Sequence, residues 1–319
     1  MSVPVFSPDE YREKMLSLPR PGSEEILAFY EHRIGGICTD PHLMLLPLDD
    51  HIAHRGDGIF ETIKYTDGYL YQFDPHLDRL KLSAAGIFLT PPCSWEKIRE
   101  IVIAVAAAGK EATGQIRLLV GRGPGGFGID PAESPVASLY VVAYRFHTRP
   151  EAWFNKGLRG CRTTIPAKQH YIAKLKTTNY IPNALMIREC KARGMDIPFC
   201  FDDSGYLAES SVANLCIVDA SGTLVVPELD QALSGTTLLR GLELLKGTVP
   251  VVVRRIAEEE IYTAKEALMF GTGPDCVAIT SYEGKPIADG KPGPVSTLAR
   301  TLISQDIRVT GVPVPGLVQ

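Results

Sequence analysis

Hydrophobic and polar positions first fall into a clean period at Ile59. Ile59, Glu61, Ile63 and Tyr65 share one face, Asp67-Gly68 supplies a turn, and Tyr69, Tyr71 and Phe73 follow on the return. Alternation of period two around an Asp-Gly pair predicts a β-hairpin. Asp74 then stands in a capping position, with Pro75 in the first turn and Leu77, Leu80 and Ala84 at helical spacing, so a helix carrying Arg79 is expected through about Ala85. A second helix is expected from Ser94 to about Ala108, and strands over 115–122 and 138–145, with the glycine-rich loop Gly121 to Gly128 between them. Ahead of these, residues 1–24 read as an N-terminal extension with a short helix from Asp9 to Leu18, stopped by Pro19-Arg20-Pro21-Gly22.

The alternation lapses after 145 and resumes near Arg159, which predicts an α+β domain over 25–148, a linker over 149–158 and a second domain over 159–319. That second half has turn signals at Asp203-Ser204-Gly205 and Ser221-Gly222, several short apolar runs, and helical patterns near 179–193, 236–246, 256–264 and 294–304. Asn179 is the expected cap of the first of these helices, with Pro182 in its first turn. Many strands with few helices predict a barrel-like α/β domain.

Composition narrows the function classes. The 319 residues suit two domains at about 100 to 200 residues each, and a chain that is 45% hydrophobic and 22% charged is globular in character. A net charge of −4 with basic residues scattered among acids disfavours nucleic acid. Seven widely spaced cysteines without a CxxC fit a reducing compartment, and a cytoplasmic protein is expected, rather than a disulfide frame or a metal site. The longest apolar run, Ile101 to Gly109, falls well short of the roughly 20 residues of a membrane helix, and no basic-then-apolar signal opens the chain. Neither export nor membrane insertion is expected.

Lys176 opens the run KTTNYIPN just before a helical pattern. A single lysine is ordinarily a solvated surface group, but one taken out of water loses its charge readily and becomes a nucleophile that can hold a carbonyl as an imine. Glu209 is followed by the small residues Ser210, Ser211, Val212 and Ala213, which leave room for a ligand; taken alone it reads as a loop glutamate. The stretches Ser234 to Thr237, at a helix start, and Gly271 to Pro274, after an apolar strand, are places where an anion could meet free backbone N–H groups, or simply a helix cap and a turn.

Five motifs in order, HRGDGIFET (54–62), QFDPHLDRL (72–80), KTTNY (176–180), GYLAE (205–209) with Asn214, and SGTT (234–237), resemble those of the class IV aminotransferases, over a region from about Ile34 to the C-terminus. The resemblance implies fold type IV, with an α/β N-terminal domain and a barrel-like α/β C-terminal domain, and pyridoxal 5'-phosphate as cofactor. It implies Lys176 as the Schiff-base and proton-shuttling lysine and Glu209 as partner of the pyridine nitrogen, where a carboxylate keeps the ring protonated. Arg79, Thr236, Thr237, Gly271 and Thr272 would lie at the phosphate, for which a guanidinium fork is apt. Leu233 would pack against the ring face and Tyr180 would lie beside the cofactor, with Ser211 and Asn214 also binding it, and Phe60, Arg122 and Gly273 would meet the substrate. A homodimer completing the site from a second subunit is also implied.

Within the family the phrases LPLDDH (46–51), GYLY (68–71) and KTTNYIPN (176–183) are most similar to D-amino-acid aminotransferases. Three activities follow in order of preference: transamination of a D-amino acid such as D-alanine with a 2-oxo acid, transamination of branched-chain L-amino acids, and 4-amino-4-deoxychorismate lysis. The Arg and His with which bacillus-type D-amino-acid enzymes trap the substrate carboxylate are absent from the loop Gly123 to Asp130, leaving Arg122 and Arg117 as nearby candidates. A scaffold that binds cofactor without catalysis is disfavoured because lysine, glutamate and phosphate arginine are all present.

Overall fold

The computed structural model describes residues 3–318. The extension is described from residue 3 and forms α1 (Pro8–Ser17), whose N-terminus is closed by a reciprocal Ser7–Glu10 capping box and which buries no residue. The first half then runs β1 (Ile26–Glu31), β2 (Gly36–Cys38), α2 (His51–His54), β3 (Gly58–Thr66), β4 (Tyr69–Leu70), α3 (Phe73–Gly86), α4 (Trp95–Ala108), β5 (Gly114–Gly121) and β6 (Ser138–Tyr144). The second half adds α5 (Glu151–Asn155), β7 (Leu158–Arg162), α6 (His170–Ala173), α7 (Ile181–Ala192), β8 (Ile197–Phe199), β9 (Asn214–Val218), β10 (Leu224–Val226) and α8 (Thr236–Leu245). It closes with β11 (Val251–Val253), α9 (Glu258–Thr263), β12 (Glu266–Gly271), β13 (Asp275–Tyr282), β14 (Lys285–Pro286), α10 (Pro294–Thr310) and β15 (Val312–Pro313).

These strands make two sheets, one ordered β15-β4-β3-β5-β6-β1-β2 and the other β11-β10-β9-β12-β13-β7-β8. Every pairing in the first is antiparallel, whereas β7 runs parallel to both β8 and β13 in the second. The first core forms where Ile59, Ile63 and Tyr65 of β3 meet Phe73, Leu77, Leu80 and Ala84 of α3 and Ile98, Val102 and Val105 of α4. Each such leucine or isoleucine contributes roughly 1.5–3 kcal/mol by leaving water. In the second half, α8 and α10 cover the sheet through Leu238, Leu245, Ala299 and Ile303, packed against Cys216, Leu268 and Phe270. Among the described residues no helix is long and apolar enough to cross a membrane.

Three expectations need correction. The return strand stops at Leu70, because Phe73 turns into the core as the first residue of α3. The cap of α3 is therefore Gln72, in a left-handed conformation, and not Asp74, which sits inside the first turn and accepts from Arg99 Nε at 3.2 Å. Asn179 does not cap α7: its Nδ2 donates to Gly56 O at 3.0 Å, and Tyr180 takes the cap position without a side-chain bond. The segment 149–158 contains α5, and Trp153 and Phe154 pack against the second core.

After α10 the chain returns to the first sheet, where β15 pairs with β4, and a Cβ on Gly68 would lie 2.6 Å from the Leu317 backbone. Asp67 and Gly68 both have positive φ, the turn geometry that the Asp-Gly pair supplies.

Candidate active site

The cavity between the two halves is organised from β3. Before β4 joins it, the start of β3 has a free edge, on which residues 176–178 lie: Phe60 N–H donates to Lys176 O at 2.9 Å, Thr178 N–H donates to Gly58 O at 2.9 Å, and Ile59 bridges Thr177. Lys176 N–H also donates to Ser83 Oγ of α3 at 3.0 Å. The lysine backbone is thus fixed by β3 and α3 although it lies well past both in the chain.

Its side chain is half-buried. Nζ donates to Tyr180 Oη at 3.1 Å and sits 4.6 Å from the centre of the Phe60 ring, which meets the Tyr180 ring edge-on at 4.9 Å. Loss of water, aided by the Arg79 and Arg117 charges and opposed by Glu61 and Glu209, brings the Lys176 amine down to about 8.

Arg79 is aimed by a buried relay. Glu61 of β3 takes Arg79 Nε at 2.8 Å and Nη2 at 2.7 Å, and His76 Nδ1 at 2.7 Å. With Nδ1 donating to the carboxylate, His76 Nε2 accepts from Thr236 Oγ1 at 3.1 Å. Burial pushes the Glu61 carboxyl up, but the His76 and Arg79 partners more than reverse it and hold it at about 2. Arg79 Nη1 donates to Ser234 O at 3.1 Å, so the arginine spans from α3 to the start of α8. That helix start has no side-chain cap, and its first N–H groups remain to meet an anion. Gly235 is required there, since a Cβ would lie 1.9 Å from Asn214 Oδ1.

Glu209 accepts the Leu233 N–H at 3.2 Å, and Asn214 Nδ2 donates to Leu233 O at 2.7 Å. Burial pushes the Glu209 carboxyl up, with the Lys168 charge the chief opposing influence. One cavity collects Arg79, Lys176, Tyr180, Glu209, Ser211, Asn214, Leu233, Thr236, Thr237, Gly271 and Thr272. Phe60 meets it through the Lys176 amine. Gly273 lies off this lining, nearest the Arg149 and Gln115 side chains.

Arg122 is tied into the scaffold. Its guanidinium holds Asp57 through two bonds of 3.0 Å and donates to the carbonyls of Ile87 and Phe88, so every face of it is committed to the scaffold. Arg117, within β5, instead stacks 4.9 Å over Phe60 in a cleft beside the cavity, whereas Arg122 lies just past the end of that strand. Lys168, 4.8 Å over the Tyr180 ring, and Asn183 were not anticipated, although both lie within or just before the KTTNYIPN run. Glu61 and His76 were inside the quoted motifs, and the i,i+3 spacing of His76 and Arg79 was their signal.

The donor set fits an anionic aldehyde cofactor. Asn183 Oδ1 and Ser211 Oγ, both in the cavity lining, are buried without protein partners, an uncapped helix start and an arginine share one end of the cavity, and a lysine of lowered basicity lies within it. Such a scaffold and site define an enzyme that holds a carbonyl cofactor on a lysine. The family model described as Amino-transferase class IV matches residues 58–282, and the chain belongs to that family, whose members are pyridoxal-phosphate-dependent enzymes of fold type IV.

The chain is 33% identical over 316 residues to the chloroplastic D-amino-acid transaminase of Arabidopsis thaliana, covering 96% of this chain and 83% of that protein. It is 28% identical over 256 residues to the branched-chain-amino-acid aminotransferase of Pseudomonas aeruginosa, covering 77% and 82%. The crystal structure of the T.th. branched-chain amino acid aminotransferase with pyridoxamine 5'-phosphate superposes with a TM-score of 0.84 at 24% identity, covering 89% of this chain and 94% of that one.

Proposed function

We propose that this chain moves an amino group between a D-amino acid, D-alanine being the model substrate, and a 2-oxo acid by a ping-pong mechanism. The carrying observation is the Lys176 amine, brought down to about 8 and set 3.1 Å from Tyr180 Oη in the cavity that also holds Glu209 and Arg79. Pyridoxal phosphate bound there supplies the sink for the charge left when the substrate α-proton departs. Lys176 Nζ is the base that takes that proton and returns it, a role suited to an amine titrating near neutrality. Tyr180 orients Nζ, Glu209 would hold the ring nitrogen protonated, and Asn214 fixes the Leu233 backbone that holds Glu209. Arg79, the α8 start at Thr236 and Thr237, and the turn at Gly271 and Thr272 would hold the phosphate; Thr236 would offer its N–H, since its hydroxyl is spent on His76.

The D-amino-acid reading is supported by the Arabidopsis relative. A second reading, a branched-chain L-amino acid, is favoured by a neighbouring cleft of about 510 Å³ walled by Met44, Leu45, Leu46, Ile52, Leu119 and Val142 and bordered by Phe60, Arg117 and Tyr180. Arg117 would hold a substrate carboxylate there. The proposal includes a homodimer, to which the exposed Leu43, Leu45, Leu46 and Leu48 lend support, and a reducing compartment, in keeping with seven free cysteines.

Mixing the holoenzyme with D-alanine or with L-leucine and following the cofactor spectrum tests this. Conversion by D-alanine alone supports the first reading, conversion by L-leucine alone replaces it with the second, and conversion by neither turns the assignment to 4-amino-4-deoxychorismate lysis.

A further inference from the structure

The strand that places Lys176 and, through Glu61, Arg79 carries one more buried charge. Lys64 is 3% exposed, and its Nζ lies 2.5 Å from Asp275 Oδ1. Lys64 belongs to β3 of the first sheet. Asp275 opens β13 in the second, pairs with Gly271, and takes a left-handed φ of 61° directly after the turn 271–274. The pair therefore ties the turn bearing Gly271 and Thr272 to the strand that aims Arg79 from the other domain. Around it stand the Tyr71 ring, 6.0 Å from Lys64 Nζ, and the Arg300 charge acting on Asp275.

We propose that Lys64 and Asp275 are a positioning pair for the cofactor phosphate, setting the separation between Arg79 and the Thr272 turn across the domain boundary. The inference rests on the reading that this end of the cavity takes a phosphate. A buried ion pair is a poor source of net stability, because desolvation cancels most of its attraction, while loss of one partner strands the other. What such a pair does well is fix geometry. Phosphate oxygens gripped from two domains need their donors placed within about half an ångström. Glu61 and Lys64, three residues apart on one strand, fix one side each. Neither Lys64 nor Asp275 lines the cavity, so the pair acts through Thr272 and not by contact.

The test compares pyridoxal phosphate with pyridoxal, which has the aldehyde but no phosphate, by absorbance titration of the full-length cofactor-free chain. Asp275→Asn should weaken binding of pyridoxal phosphate on the order of tenfold or more and leave pyridoxal within about twofold. Lys64→Arg should restore most of the preference lost in Lys64→Met. If Asp275→Asn fails to fold, Lys64→Met with Asp275→Asn removes both charges, leaves none stranded, and should show the same loss of phosphate preference. An unchanged preference in the variants, or an equal loss for both ligands, overturns the proposal and leaves the pair as scaffold. A wild-type chain that captures neither ligand would overturn the cofactor reading itself, a separate outcome.

Discussion

Lys176 Nζ and Tyr180 Oη lie 3.1 Å apart with the Phe60 ring beneath the amine, so the nucleophile is oriented by a phenol and an aromatic face and has no carboxylate directly against it. An amine in that setting gives up its proton more easily than one in water, because no salt bridge holds the charged form in place.

Capture of pyridoxal phosphate by the cofactor-free chain should follow from this. Only the neutral amine attacks a carbonyl, so the rate should climb with pH and level off above about 8. Stopped-flow absorbance against pH measures it; a rate still climbing toward the ordinary lysine value of 10.5 would show a solvated amine. Lys176→Ala should lose both the visible band and turnover.

Glu61 should govern acid stability. Its carboxyl lies at about 2 in the fold against an ordinary 4.5, so the stability it contributes is complete above about 4.5 and is lost as pH falls through about 2. Glu61→Gln should flatten the acid limb of a stability–pH profile while costing roughly 3–5 kcal/mol at neutral pH, since Arg79 loses its buried partner. Urea titrations across that range would detect either failure.

Arg117 and Arg122 should separate cleanly. Arg117→Leu should raise KM for the amino acid about ten- to a hundredfold, the worth of a charged hydrogen bond of roughly 1.5–3 kcal/mol, with unfolding unaltered. Arg122→Leu should lower stability by about 2–3 kcal/mol, as Asp57 and two carbonyls lose donors, and leave KM alone. Steady-state kinetics alongside thermal unfolding decide, and a reversed pattern would exchange the two roles.

Lys168 should tune the ring-nitrogen end of the site. It lies 4.8 Å over Tyr180 and its charge opposes the upward push of burial on Glu209. Lys168→Met should therefore move the alkaline and acid limbs of the kcat profile and lower kcat by about tenfold, with Lys168→Arg restoring it. A flat response in the profile would leave Lys168 a surface group.

Local pattern was enough for much of the fold. The Ile59–Tyr65 alternation, the Asp67-Gly68 turn and the Leu77, Leu80, Ala84 stripe are properties of neighbouring residues, and the structure keeps all three. Local spacing points to the wrong cap where a distant partner competes: Asn179 holds Gly56, and Phe73 is drawn into the core ahead of Asp74. Competition from tertiary contacts is invisible to a local reading.

The sequence by itself determined the family, through five ordered motifs, and with it the candidates Lys176, Glu209 and Arg79, which the fold brings into one cavity. It could not separate Arg117 from Arg122, because five residues of strand and turn decide which guanidinium stacks on Phe60 beside the cavity and which one closes on Asp57. Nor could it place Lys64 beside Asp275, 211 positions apart. Contacts of that range exist only once two sheets have packed, and the free energy that selects them is the burial of both cores rather than any preference written in the local chain.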